Sequence, residues 1–379
     1  MTPNAASASA PTHAASSSVA PAAASTASTA SSSTAPSSVA PSSTAPPSVA
    51  PSSTAPSHAT SSRVAPAAAS AARAGSPGAT YRFHTADVFT SRSYAGNPLA
   101  VLPDARGLTT AQMTAITREF NLAETVFVLP PDDPAHARRV RIFTPGRELP
   151  FAGHPTVGTA IVLATAGYLG LGDGDHRIIL EEGVGPVPVH VRMEQGVATF
   201  AQLSVARLPE VLTPAPSRDA VAAALGLAPA DILGAPDAIE IVSCGVPFVF
   251  VPLVDRAAVG RATPHLEHWD TAFAGLGSNE TFVFSRDAIG ADVHARMFAP
   301  GLGVPEDPAT GSATAALGGY LAARDPRSSG TLRWVVSQGV EMGRPSRLEL
   351  EVDRDAGRIT AVRVGGSAVL VSEGTIRAP

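Results

Sequence analysis

The sequence predicts an α+β protein of two similar domains behind a long N-terminal tail. Three observations carry that prediction. Short motifs occur twice in one order, strand-like and helix-like segments follow one another around them, and the first 79 residues lack the composition of a core. Glu124-Thr125-Val126-Phe127-Val128 returns as Glu280-Thr281-Phe282-Val283-Phe284, and Arg141-Ile142-Phe143-Thr144-Pro145 returns as Arg296-Met297-Phe298-Ala299-Pro300. His154-Pro155-x-x-Gly158-Thr159-Ala160 then matches Asp307-Pro308-x-x-Gly311-Ser312-Ala313. Recurrence at nearly constant spacing implies internal duplication of a unit of roughly 120 residues. On this register Asp307 corresponds to His154, and Ser312 to Thr159.

The tail is placed at residues 1–79. It is almost wholly Ala, Ser, Thr, Pro and Val, with no acid and only Arg63 and Arg73 as fixed charges. Such a segment has little apolar surface to offset chain entropy, so disorder with polyproline II character is expected. It also lacks the charged start and apolar run of a signal peptide. The N-terminal domain is placed at 80–205, completed by 366–379, and the C-terminal domain at 206–365. Some 300 residues suffice for two sizeable cores.

All 32 acids lie beyond the tail, against 27 basic residues in the whole chain, and every one of those is Arg. Without lysine, Schiff-base and pyridoxal-phosphate chemistry through a protein amine is excluded. The acidic balance argues against a nucleic-acid surface, and no apolar run reaches membrane-spanning length. The single cysteine, Cys244, excludes an intrachain disulfide and suits a reducing, cytoplasmic compartment.

Taken in order, Phe83 to Phe89 and Pro98 to Leu102 read as strands joined by a loop, Ser91 to Asn97. Asn97 either completes the Gly96-Asn97-Pro98 turn or directs its amide at a ligand. Thr109 to Phe120 is a helix capped by Thr109 or Thr110. Glu124 stands where that helix gives way to the strand Thr125 to Leu129. It is either a solvated loop acid or a partly desolvated carboxyl suited to proton transfer near neutrality. Val140 to Phe143 is a strand, and a helix runs from Pro155 through Tyr168 with His154 at its cap. The free N–H groups of that helix start form an anion site needing no basic side chain. Ile178 to Leu203 reads as strands with glycine turns, and Pro209 to Pro216 as a polar connection between domains. Asp219 to Leu225 is a short helix. Ile239 to Leu253 is apolar and interrupted at Ser243-Cys244-Gly245, so Cys244 reads as a small buried residue. His265, Glu267 and His268 fit a solvated loop better than a metal site. In the second copy a helix starts after Asp307 at Pro308 and runs through Tyr320. Trp334 to Val340 and Leu348 to Val352 are strands, and Ile359 to Val371 closes the chain as a hairpin around Gly365-Gly366.

Two helix starts aimed at one ligand, flanked by His154, Asp307, Ser312 and Glu124, suit proton transfer beside a carboxylate. No nucleophile elbow, zinc-protease, phosphate-loop or Cys-x-x-Cys motif is present. A lyase or hydrolase acting through Glu124, and a binding protein of the same fold, remain open on these residues.

At these motifs, with Asp87-Val88-Phe89, Gly96-Asn97-Pro98-Leu99, Asn121-Leu122-Ala123-Glu124-Thr125 and Leu149-Pro150-Phe151-Ala152-Gly153-His154-Pro155, the chain resembles the PhzF-like family over residues 82–379. The resemblance implies a diaminopimelate-epimerase-like fold, each domain a curled mixed sheet around a central helix. It implies an isomerase similar to trans-2,3-dihydro-3-hydroxyanthranilate isomerase, working without metal or organic cofactor, and a homodimer, which light scattering tests. The catalytic residues it implies are Glu124, His154 and Asp307. Asn97, Gly153, Gly311 and Ser312 would bind the small carboxylate substrate. Related racemases use a thiol from each half; Cys244 lies outside both repeated motifs.

Overall fold

The computed structural model describes residues 76–379. Most of the tail expectation therefore lies outside the described residues. Gly78 and Ala79, assigned to the tail, are within them and exchange main-chain hydrogen bonds with Ala378 (Gly78 N to Ala378 O, 2.9 Å; Ala378 N to Ala79 O, 2.7 Å).

The first half of the described chain runs β1 (Thr80–Val88), β2 (Asn97–Leu102), α1 (Thr110–Phe120), β3 (Glu124–Leu129), β4 (Arg138–Phe143), β5 (Glu148–Leu149), α2 (Gly153–Thr165), β6 (Gly174–Glu182), β7 (Gly185–Glu194) and β8 (Val197–Ser204). The second half runs β9 (Glu210–Leu212), α3 (Arg218–Leu225), β10 (Glu240–Ser243), β11 (Pro247–Pro252), α4 (Arg256–Arg261), α5 (Leu266–Ala272), β12 (Thr281–Ser285), β13 (Val293–Ala299), β14 (Val304–Asp307), α6 (Gly311–Ala323), β15 (Gly330–Gln338), β16 (Ser346–Asp355), β17 (Arg358–Gly366) and β18 (Ala368–Arg377).

One pairing pattern occurs twice. β2 lies parallel to β3, β3 antiparallel to β4, β4 antiparallel to β5 and parallel to β6, and β6–β7–β8 form a meander. β11, β12, β13, β14, β15, β16 and β17 repeat each of those relations. In each half the helix that follows the short strand is buried nearly all round: α2 from Gly153 to Ala164, and α6 from Gly311 to Ala322 apart from Ser312 and Gly319. A helix apolar on every face can only sit inside a fold, and the sheets curl around α2 and α6. Val88, Leu99, Ile161, Leu203, Leu317, Leu350 and Val364 belong to one continuous core reaching across both halves.

Local chemistry explains several boundaries. Thr109 and Gln112 form a capping box at the start of α1, and Asn121 ends it in the left-handed conformation. Arg141 grips Glu148 through Nε and Nη2 (2.7 and 2.6 Å), and Arg296 grips Glu306 in the same way (2.8 and 2.8 Å). The repeated Arg-x-Phe-x-Pro motif thus ties β4 and β13 to the short strand leading into each buried helix, by paired charge-assisted bonds.

The pairings shift the repeat register read from sequence. Thr125 faces Phe143 as Thr281 faces Phe298, and Ile142 faces Leu149 as Met297 faces Asp307. Leu149 is therefore the counterpart of Asp307, Gly153 of Gly311 and His154 of Ser312. The Pro-x-x-Gly pair that matches Pro308 to Gly311 is Pro150 to Gly153, five residues before the one the sequence suggests. The first half holds two Pro-x-x-Gly patterns, and letter identity cannot choose between them.

Other expectations also change. α2 starts at Gly153, so His154 sits inside its first turn rather than at the cap, and it ends at Thr165, short of Tyr168. α6 starts at Gly311, since Asp307 still belongs to β14. Leu266–Ala272 is helical, with His265 at its N-cap. The Pro209–Pro216 connection contains β9, which pairs with β10. The closing hairpin is absent: β17 lies between β16 and β8, while β18 pairs with β1. Strand periodicity is the same whichever partner a strand takes, so the crossover near Gly366 left no trace in the pattern.

Candidate active site

α2 and α6 begin against each other. A Cβ on Gly153 would fall 2.8 Å from both Gly311 Cα and Ser312 N, so the two starts touch through bare backbone. Neither N-cap residue, Ala152 or Thr310, caps its helix with a side chain. The first N–H groups of both helices therefore stay open to a ligand. Two positive dipole ends brought together repel, and an anion placed between them relieves that repulsion.

Beside this junction lies a buried polar cluster drawn from both halves. Asn97 opens β2 and is fully buried. Its Nδ2 lies 2.8 Å from Asp307 Oδ1, 3.0 Å from Ala309 O and 3.2 Å from His154 Nδ1. Since the carboxylate and the carbonyl can only accept, the amide NH2 must face them. The two amide hydrogens are shared among three acceptors, and His154 Nδ1, which faces a donor nitrogen, carries no hydrogen; that of a neutral imidazole sits on Nε2, 3.3 Å from Glu124 Oε2. That approach lacks hydrogen-bond geometry, and Asn97 Oδ1, His154 Nε2 and Glu124 Oε2 are all buried without a partner. Unserved polar atoms inside a protein are costly and call for a functional reason.

The protonation states follow from burial. Desolvation, reinforced by the Asp307 charge, pushes the Glu124 carboxyl up to about 8. Burial pushes His154 down to about 3. It raises Asp307 to about 6, against the hydrogen bonds from Thr310 and Asn97. Near neutrality the cluster thus holds a protonated Glu124, a neutral His154 and a largely ionised Asp307, and the Glu124–His154 contact is not an ion pair.

The structure brings Glu124, His154, Asp307 and Asn97 into one cluster and puts Gly153, Gly311 and Ser312 at the adjoining helix junction. Sequence reasoning missed the support behind Asp307. Thr310 Oγ1 donates to Asp307 Oδ2 at 2.5 Å, while Gln338 Nε2 binds Asp307 O at 2.8 Å and Thr310 Oγ1 at 2.9 Å. Thr310 could have been noticed at the helix start; Gln338, on a strand 28 residues later, carries no local signal. On the other side of Ser312, Phe151, Leu203, Val205, Cys244, Val246 and Ala315 line a small apolar recess. Val246 occupies there the place that Asn97 holds in the first half, because Ala100 pairs with Thr125 as Val249 pairs with Thr281. Burial pushes the Cys244 thiol up to about 12, so it is no thiolate.

This arrangement can be set beside known proteins. The family model described as "Phenazine biosynthesis-like protein" matches residues 86–374. The chain belongs to the PhzF-like family. It is 45% identical over 301 residues to an uncharacterized isomerase of Mesorhizobium japonicum, covering 76% of this chain and 96% of that protein. It is 37% identical over 297 residues to trans-2,3-dihydro-3-hydroxyanthranilate isomerase of Pseudomonas aeruginosa, covering 78% and 98%. A PhzF-family crystal structure from Bacillus anthracis superposes with a TM-score of 0.71 at 27% identity, over 79% of this chain and 99% of that one. The PhzF-like protein is thus an enzyme of the isomerase class with the α+β, diaminopimelate-epimerase-like fold that the motifs imply. Among the described residues no helix is long and apolar enough to cross a membrane.

Proposed function

We propose that this PhzF-like protein moves a proton between carbons of a small, cyclic carboxylic acid, of the chemical class of trans-2,3-dihydro-3-hydroxyanthranilate, with Glu124 as the only proton carrier and no metal or organic cofactor. The observation that carries this reading is Glu124 itself, a carboxyl only 16% exposed, held up to about 8, with a buried, unpartnered Oε2 beside two open helix starts. A base poised near the working pH is the most effective one. The N–H groups of Gly153, Gly311 and Ser312 hold the substrate carboxylate. The Glu124 carboxylate accepts a proton from a ring carbon, and the C–H electron pair spreads into the conjugated ring. The helix starts favour that charge. Glu124 then returns the proton to another ring carbon, so the composition of the substrate is unchanged. His154 Nε2–H donates to, and Asp307 accepts from, the polar substituents of the ring. The recurring fold pattern and motifs support an origin of the two halves by duplication, and the lone cysteine supports a cytoplasmic site of action.

The test is NMR of the protein with trans-2,3-dihydro-3-hydroxyanthranilate in D2O. Deuterium is expected on a ring carbon of product at unchanged carbon skeleton. A product of altered composition would show a lyase or hydrolase, and ligand binding with no exchange would show a binding protein. Because free Glu124 must ionise before it can take a proton, kcat/KM should rise about tenfold per pH unit up to about pH 8 and level off above it. A flat profile across that range would remove Glu124 as the base.

A further inference from the structure

Glu182 is a buried carboxyl that plays no part in the chemistry above. It ends β6 and is 8% exposed. Its Oε1 lies 2.6 Å from Thr156 Oγ1, and Thr156 Oγ1 lies 2.7 Å from Ala152 O. Thr156 is in the first turns of α2, and Ala152 is its N-cap. A hydroxyl carries one hydrogen. If Thr156 gives it to the Ala152 carbonyl, which can only accept, then the short contact to Glu182 needs a hydrogen from Glu182. The other carboxyl oxygen, Oε2, is buried with no partner, a position that suits a neutral C=O far better than half of a carboxylate.

The second half supplies an independent comparison. Arg139 pairs with Glu181 as His294 pairs with Ser337, so Glu182 is the counterpart of Gln338. The next residues agree: a Cβ on Gly183 would meet Pro150 Cα at 2.8 Å, and one on Gly339 would meet Pro308 O at 2.6 Å. Gln338 braces the start of α6 with a neutral amide, accepting from Thr310 N at 3.1 Å and donating to Thr310 Oγ1 and Asp307 O. At the start of α2 a carboxyl fills the same place.

We propose that Glu182 is a positioning residue that carries its proton in the working protein and braces the start of α2 through Thr156, as the amide of Gln338 braces the start of α6. A charged Glu182 would put a resident anion under the helix start that receives the substrate carboxylate, and the two would compete. The inference rests on that reading of the helix start, but its test uses no substrate. Burial pushes the carboxyl up to about 8, and a bond donated by Glu182 to Thr156 favours the same protonated form. Its strand neighbour Glu181 turns the other way, to His136 Nδ1 and the Asp132 and Asp133 amides, and its partner on β7 is Gly185. The titrating groups near the α2 start are Glu124 from β3, Asp307 from β14 and His154 on α2 itself.

The experiment compares the full chain with its Glu182→Gln and Glu182→Ala variants, without ligand. A carboxyl whose pKa is raised on folding stabilises the fold below its unfolded value of 4.5, and that contribution is lost as pH climbs to about 8. The Tm of Glu182→Gln should therefore gain on wild type between about pH 5 and about pH 9, since Glu124 and Asp307 act equally in both. Amide NMR shifts of Gly153 and His154 should stay in place at neutral pH in Glu182→Gln and move in Glu182→Ala. Parallel Tm curves, or Gln disturbing those amides as much as Ala, would overturn the proposal. Loss of the isomerase reading would show in the D2O exchange experiment and leave these two readouts untouched.

Discussion

Glu124→Gln is expected to lower turnover by about 10⁴-fold while ligand affinity stays within about tenfold of wild type. The amide keeps the shape of the carboxyl and stays neutral, which is the state burial already imposes on Glu124 at neutral pH. Gly153, Gly311 and Ser312, the groups read as carboxylate donors, are untouched. What is lost is the capacity to take and return a proton. His154 cannot stand in, because burial has driven its pKa down to about 3 and Asn97 occupies its Nδ1. Asp307 is tied to Asn97 and Thr310. Steady-state kinetics with calorimetric affinities would check this. Equal losses in affinity and turnover would make Glu124 a binding group, and retained turnover would move the base elsewhere.

Gly153→Ala is expected to lower both stability and rate although it alters no polar group. The added methyl would lie 2.8 Å from Gly311 Cα, 2.8 Å from Ser312 N and 2.9 Å from Gly311 C. All three are backbone atoms inside a helix start, so no side chain can swing aside. The helices must separate, at a cost of about 1–3 kcal/mol for overpacking. The donors shift with them, and a misplacement of about 1 Å costs roughly 10²-fold in rate. Gly172→Ala is the control, as a Cβ there meets nothing within 4 Å. Thermal melts and kcat/KM would show the contrast, and a Gly153→Ala variant matching Gly172→Ala in both would refute the abutting-helix geometry.

The chemistry-bearing residues lie in short local motifs, and so sequence could single them out. Glu124, His154, Asp307 and Asn97 each sit at the edge of an apolar segment, where a polar residue is conspicuous. The structure gathers them within one cluster, from positions up to 210 residues apart. The Thr109 cap and the buried helices after Gly153 and Gly311 were legible for the same reason, since capping and hydrophobic burial are written in neighbouring residues.

Partners that meet only across the fold were not legible. Gln338 and Glu182 lie on strands far along the chain from the helix starts they support, in segments that read as ordinary strand endings. The order of the repeated motifs pointed to two similar halves, but choosing between two Pro-x-x-Gly patterns required the strand pairing of Leu149 and Asp307. By itself the sequence determined the family, the two-part α+β architecture and the candidate acid and base, because these depend on composition, periodicity and contiguous motifs. Tertiary structure decided which glycines touch, which carboxyls lose their water and which strand closes on β1. Those outcomes depend on packing between segments distant in sequence, and no local pattern encodes that packing.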